Sequence, residues 1–72
     1  MEKFRFCGFD FERKSDYYNV LTDDMITGGL SIEQGEEIYK ISQATNSLDW
    51  CLLESSDSYL LAYRCQVVKE YY

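Results

Sequence analysis

The sequence predicts an α+β fold in which residues 1–72 form a single domain. We expect a small antiparallel sheet of three to four strands with one helix packed across it, in the order β(β)αββ. Three observations predict this: a phenylalanine-rich N-terminal segment, a capped helical pattern in the middle, and two strand-like segments around a polar loop. The chain has 72 residues with seven Tyr, four Phe and one Trp, so large rings must fill a small core.

The first strand is predicted at residues 3–12, where the apolar alternation changes phase once. Phe4 and Phe6 share one face, whereas Phe9 and Phe11 have the opposite phase, with a Cys-Gly step between the two pairs. A glycine at a change of phase is typical of a β-bulge, and a bulge would let all four rings face the same core. Without a bulge the strand would be apolar on both faces.

The segment at residues 17–27 has two interpretations. Residues 17–22 are rich in β-forming side chains, which favours a returning strand. The alternative is a short helix with Asp16 as its N-cap and its end at Gly28-Gly29. The apolar stripe of that helix would be Tyr18, Leu21 and Met25. We prefer the strand.

A helix is predicted from the capping box Ser31-Ile32-Glu33-Gln34. It should end near Asn46, and its apolar face is Ile32, Ile38, Ile41 and Thr45. Glu36 and Lys40 are spaced for an ion pair on the exposed side. Gly35 costs about 1 kcal/mol relative to Ala inside a helix. That cost indicates close packing against another backbone, or a glycine without a structural role.

The last third predicts a hairpin from residues 48–54 and 59–69, joined by Ser55-Ser56-Asp57-Ser58. A four-residue loop predicts these facing pairs: Leu48 and Cys65, Trp50 and Tyr63, Leu52 and Leu61, Glu54 and Tyr59. One face is then apolar enough to take the helix. On the other face Asp49 lies opposite Arg64 as a cross-strand ion pair. The remaining residues of that face are Cys51, Leu53, Leu60 and Ala62.

The charge pattern gives the main functional hypothesis. The net charge is −6, and residues 15–39 contain no Lys or Arg. The carboxylates in this segment are Asp16, Asp23, Asp24, Glu33, Glu36 and Glu37. They are either a solvated face or a set that imitates the phosphates of a nucleic acid. We expect them to bind a protein partner with a basic surface, with Tyr17 and Tyr18 as aromatic anchors.

Catalysis, cofactors and metals are not predicted. The chain has no His, and it lacks a P-loop, a GxGxxG motif and an EF-hand spacing. Its three cysteines lack CxxC spacing, which favours buried thiols in a reducing compartment over one disulfide or an intermolecular bridge. No segment has the length of a signal peptide's apolar run or of a membrane span, so a cytosolic protein is expected.

In size, acidity, lack of His and Pro, and expected β-α-β-β order, the chain resembles small phage-encoded inhibitors of host machinery, including anti-CRISPR proteins and DNA mimics. The resemblance implies a non-enzymatic viral protein that blocks a nucleic-acid-binding effector complex in the host cytosol. Because that class shares no single fold, it assigns no residue a role. The alternatives are an antitoxin or immunity protein, a structural or accessory subunit that could be a homodimer, and a cysteine-based enzyme.

Overall fold

The computed structural model describes residues 2–23 and 25–72, and its architecture is α+β, with one α-helix and two antiparallel sheets. The first sheet has the order β1-β2-β3-β4 and the second the order β5-β6-β7. The elements are β1 (Lys3–Phe6), β2 (Phe9–Arg13), β3 (Tyr17–Leu21), β4 (Ile26–Ser31), α1 (Ile32–Ala44), a 3₁₀ helix (Ser47–Asp49), β5 (Trp50–Glu54), β6 (Tyr59–Tyr63) and β7 (Gln66–Tyr71). No helix among these residues is long and apolar enough to cross a membrane.

The first predicted strand is in fact a hairpin. Cys7 and Gly8 have φ values of 56° and 83°, and two consecutive residues in this region form a tight two-residue turn instead of a bulge. The turn pairs Phe4 with Phe11 and Phe6 with Phe9. All four phenylalanines therefore lie on one face of the first sheet.

A second tight turn divides the last predicted strand into β6 and β7. Arg64 and Cys65 have φ values of 50° and 69°, and neither residue type favours this conformation, so the sequence does not signal the turn. The predicted pairing of Leu48 with Cys65 is wrong, because Leu48 lies in the 3₁₀ helix and Cys65 in the turn. The resulting order is ββββαβββ with seven strands, not β(β)αββ with three to four.

The rest of the predicted register between β5 and β6 is confirmed. The facing pairs are Trp50 and Tyr63, Leu52 and Leu61, and Glu54 and Tyr59. The expected ion pair also forms, with Arg64 Nε at 3.7 Å from Asp49 Oδ1. A four-residue loop with polar side chains was sufficient to fix this alignment.

Residues 17–21 form the preferred strand, whereas β4 was not predicted. Gly28 and Gly29 lie inside β4, opposite Val20 and Asn19, and do not end a helix. A Cβ atom on Gly28 would lie 2.5 Å from the hydroxyl oxygen of Tyr59. The glycine is thus required where the second sheet packs against the first.

The capping box of α1 is confirmed. The backbone N–H of Gln34 donates to Ser31 Oγ at 3.2 Å, and the backbone N–H of Ser31 donates to Gln34 Oε1 at 3.1 Å. The helix ends at Ala44, within two residues of the expected end. The expected pair of Glu36 with Lys40 is not found among residues 2–23 and 25–72, since Arg13 of β2 pairs with Glu36 at 3.5 Å instead.

One core joins both sheets and the helix. Its fully buried members are Phe6, Phe11, Tyr18, Val20, Leu30, Ile38, Leu52, Tyr59, Leu61 and Tyr71. At Gly35 a Cβ atom would lie 2.1 Å from Tyr18 Cδ2, so the helix approaches an aromatic ring there and not a backbone as expected. Gly35 therefore lets α1 pack flat against the first sheet.

We predict that Gly35→Ala destabilises the protein although Ala favours helix. The helix gains about 1 kcal/mol, whereas forcing a methyl group into the buried Tyr18 ring costs typically about 1–3 kcal/mol. Urea unfolding followed by circular dichroism should show a net loss of stability, with Gln43→Ala on the exposed side as the control. A Gly35→Ala variant as stable as the wild type would contradict the packing. In a Tyr18→Leu background the same change should cost less.

Candidate functional site

Three of the predicted partner-binding residues lie near the start of α1. The pairing of β3 with β4 places Tyr17 opposite Ser31, the N-cap of the helix, and Glu33 lies in the first helical turn. Asp16 precedes Tyr17 in the turn after β2, and all three side chains are exposed, Tyr17 by 43%. We call Asp16, Tyr17 and Glu33 the helix-start surface. Neither carboxylate forms an ion pair with any described Lys or Arg.

Tyr18 does not belong to this surface. Its side chain is only 2% exposed and packs against Gly35 on one side and the edge of the Phe4 ring on the other. Alternate residues of a strand face opposite sides, so Tyr17 points to solvent and Tyr18 into the core. The prediction that both tyrosines anchor a partner is therefore corrected for Tyr18.

Asp23 lies at the far end of β3 from Asp16, roughly 20 Å away at the rise of an extended strand. Arg5 Nη2 lies 3.3 Å from Asp23 Oδ1, and Arg5 Nη1 lies 3.0 Å from Asp10 Oδ1. The acidic residues of the middle segment thus do not form one surface: Asp16 and Glu33 lie near the helix start, and Asp23 lies at the opposite end of β3. The predicted site residue Asp24 lies outside the described residues.

Glu36 and Glu37 are occupied by contacts within the chain. Glu36 pairs with Arg13, as described above. Glu37 Oε1 accepts hydrogen bonds from Lys69 Nζ and from the Tyr71 hydroxyl, which tie the helix to β7. These bonds lower the pKa of Glu37, with the Lys69 bond as the main cause. Glu37 is thus a structural tether, and Glu33 is the helix carboxylate that stays free.

A second group of carboxylates without ion pairs lies outside residues 15–39 and was not predicted. Among the described residues, three carboxylates around the β5–β6 loop form no ion pair, and they are Glu54, Asp57 and Glu70. Ion pairs within the chain account for this, since six of the seven Lys and Arg side chains bond carboxylates elsewhere. Glu54 before the serine-rich turn and Asp57 within it were the available sequence signal.

Neither the cysteines nor the acids form a reactive or metal-binding cluster in the part of the chain that the structure describes. Cys7, Cys51 and Cys65 are free thiols. Burial raises the pKa of Cys7 to about 11, so this thiol is neutral and poorly nucleophilic near pH 7. No group of three His, Cys, Asp or Glu side chains there could hold a metal ion.

The second sheet carries an apolar outer face, which consists of Cys51, Leu53, Leu60, Ala62 and Val67. The register places Cys51, Ala62 and Val67 in one row and Leu53 with Leu60 in the next. Ala62 is buried among its neighbours, but Leu53 and Val67 are 49% and 56% exposed. Leu53 and Val67 lie in different rows on β5 and β7, with β6 between them, and exposed apolar side chains grouped on one sheet face are typical of protein contact surfaces.

A scan against protein-family models finds no match for the chain, and searches of curated proteins and of solved structures find no similar protein. The resemblance to small phage-encoded inhibitors therefore stays a prediction.

We predict that Glu37 makes stability depend on acid pH. Since the folded-state pKa lies below the usual 4.5, the ionised carboxylate stabilises the fold above about pH 4.5, and this contribution is lost as the pH falls through the folded-state value. Melting temperatures between pH 3 and pH 7 should therefore drop less steeply in Glu37→Gln than in the wild type. The control is Gln43→Ala on the exposed side of the same helix, which changes no titratable group and should follow the wild-type profile. Identical profiles for all three proteins would contradict the tether.

Proposed function

We propose that this protein is a non-enzymatic inhibitor that binds, through the helix-start surface, a basic and nucleic-acid-binding surface of a host effector complex. The observation that supports this is the placement of Asp16, Tyr17 and Glu33 near the start of α1, where all three are exposed and neither carboxylate pairs with a described Lys or Arg. Two free carboxylates beside an exposed tyrosine offer charge for Lys or Arg and a rigid ring for packing.

The surface is preformed, which favours binding without rearrangement. The capping box fixes the first turn of α1, and the register with β4 fixes Tyr17 against the backbone of Ser31. A Cβ atom on Gly29 would lie 3.6 Å from Tyr17 Cδ2, so the tyrosine ring rests over the glycine. A side chain that is already placed loses little conformational entropy on binding.

The net charge of −6 adds long-range attraction to a basic partner. Occupation of a Lys/Arg-rich groove by carboxylates would exclude the phosphates that normally bind there. Screening limits this attraction to about 8–10 Å at physiological salt, so the binding should be strongly salt-dependent.

A second candidate function, an accessory subunit that buries the outer face of the second sheet, rests on the exposure of Leu53 and Val67. Among the described residues, α1 packs mainly on the first sheet, and Leu53 and Val67 stay exposed on this face. Burial of such side chains against another protein would remove about 1.5–3 kcal/mol of unfavourable exposure for each large residue.

We predict that charge at the helix-start surface decides partner affinity. The partner would first be isolated from host lysate on the immobilised protein, eluted with salt or competing DNA or RNA, and identified by mass spectrometry. Glu33→Gln should then weaken its binding about three- to fivefold at low salt, and Asp16→Asn with Glu33→Gln about tenfold. The measurement is biolayer interferometry across a salt series.

The matched control is Gln43→Lys, which changes the net charge by the same +1 at an exposed position near the other end of α1. It should leave affinity nearly unchanged if the position of the charge matters. Equal effects of Glu33→Gln and Gln43→Lys, or no effect of salt, would refute the proposed surface.

For the accessory-subunit alternative, we expect Leu53→Glu to abolish an association that Glu33→Gln leaves intact. Sedimentation equilibrium up to millimolar concentration tests the homodimeric form. A wild-type protein that stays monomeric and binds its partner equally well as Leu53→Glu would rule this function out.

A further inference from the structure

A groove runs between the free edge of β4 and the β5–β6 loop. Thr27, Gly28 and Gly29 line one wall, and residues 54–59 line the other, around a cavity of about 220 Å³. Small-molecule pockets are usually larger, roughly 300–1,000 Å³. The cavity itself is therefore smaller than is usual for a small-molecule site.

The β4 wall is an unpaired strand edge. In the first sheet β4 has β3 as its only neighbour, and no backbone hydrogen bond in the described chain joins residues 27–30 to anything beyond that sheet. Gly28 and Gly29 carry no side chain that could shield the edge. Such an edge can pair with an extended segment of another chain.

The opposite wall is held rigid by its own hydrogen bonds. The Ser55 amide donates to the Ser58 carbonyl at 2.9 Å, the two serine hydroxyls lie 2.7 Å apart, and Ser58 Oγ donates to Glu70 at 3.1 Å. At the floor the Thr27 and Tyr59 hydroxyls are 2.9 Å apart. The loop thus keeps its distance from β4, and the groove is preformed.

The charge of the groove selects the occupant. Both Glu54 and Asp57 line the groove, and neither side chain makes a hydrogen bond or ion pair with another described residue. No Lys or Arg lines the groove. An extended segment with Lys or Arg at alternate positions would complement the two carboxylates while its backbone pairs with β4.

We propose that this groove binds an extended, basic peptide segment of a partner protein by strand addition to the edge of β4, with Glu54 and Asp57 bonding its Lys or Arg side chains. This site differs from the helix-start surface in its carboxylates, which are Glu54 and Asp57, although Gly29 borders both. The contact area is small, so the affinity should be in the range of transient complexes.

The test uses a ten-residue peptide of alternating Lys and Val, titrated into the ¹⁵N-labelled protein. We expect saturable shifts of the amide signals of residues 27–29 and 54–59. Glu54→Gln and Asp57→Asn should each weaken binding about three- to fivefold, while Gln43→Lys, which changes the net charge by the same +1, should not. The same peptide N-methylated at alternate residues should bind at least about tenfold more weakly, because strand addition requires its amides.

Three results would overturn the proposal: shifts that map to Asp16 and Glu33 instead, equal binding of the N-methylated peptide, or equal binding of an alternating Glu and Val peptide. Since the variants remove side chains without bonds to other described residues, a loss of binding with an unchanged circular dichroism melt reports on the groove and not on folding.

Discussion

The two sheets are joined at Tyr59, and much of the structure depends on that contact. Its ring is buried over Gly28, its hydroxyl lies 2.9 Å from that of Thr27, and it meets the Phe9 ring edge-on at 6.2 Å. Burial raises the pKa of this phenol, so it stays protonated and available for the hydroxyl contact with Thr27. A side chain at position 28 would push the sheets apart and open the common core.

A second tyrosine and glycine pair, Tyr18 with Gly35, seats the helix in the same way. In a chain of 72 residues such close contacts matter, because a small core has few side chains to spare. Glu37 adds a polar link from the helix to β7, where Tyr71 lies directly opposite Tyr59. Gly28 and Gly35 thus let the rings of Tyr59 and Tyr18 pack closely, and the Glu37 carboxylate joins the helix to the second sheet.

The same contacts determine which carboxylates remain for a partner. Internal bonds take up Asp23, Glu36 and Glu37, and leave Asp16 and Glu33 at one end and the acids of the β5–β6 loop at another. An acidic composition therefore becomes two small surfaces instead of one large one. Each lies on a rigid frame, one at a capped helix and one at a hydrogen-bonded turn, and this arrangement supports the proposed recognition of a basic protein.

The sequence by itself determined the α+β class, the capped helix and the β5–β6 register, because capping and cross-strand alternation are local patterns. It did not reveal the turns at Cys7-Gly8 and Arg64-Cys65, since positive φ values at Cys and Arg are imposed by the strands around them. It identified Asp16, Tyr17 and Glu33 as partner-binding candidates but could not separate them from Tyr18 and Glu37. Only the tertiary structure decided that division, because burial and ion pairing depend on residues distant in the chain, such as Gly35 and Lys69.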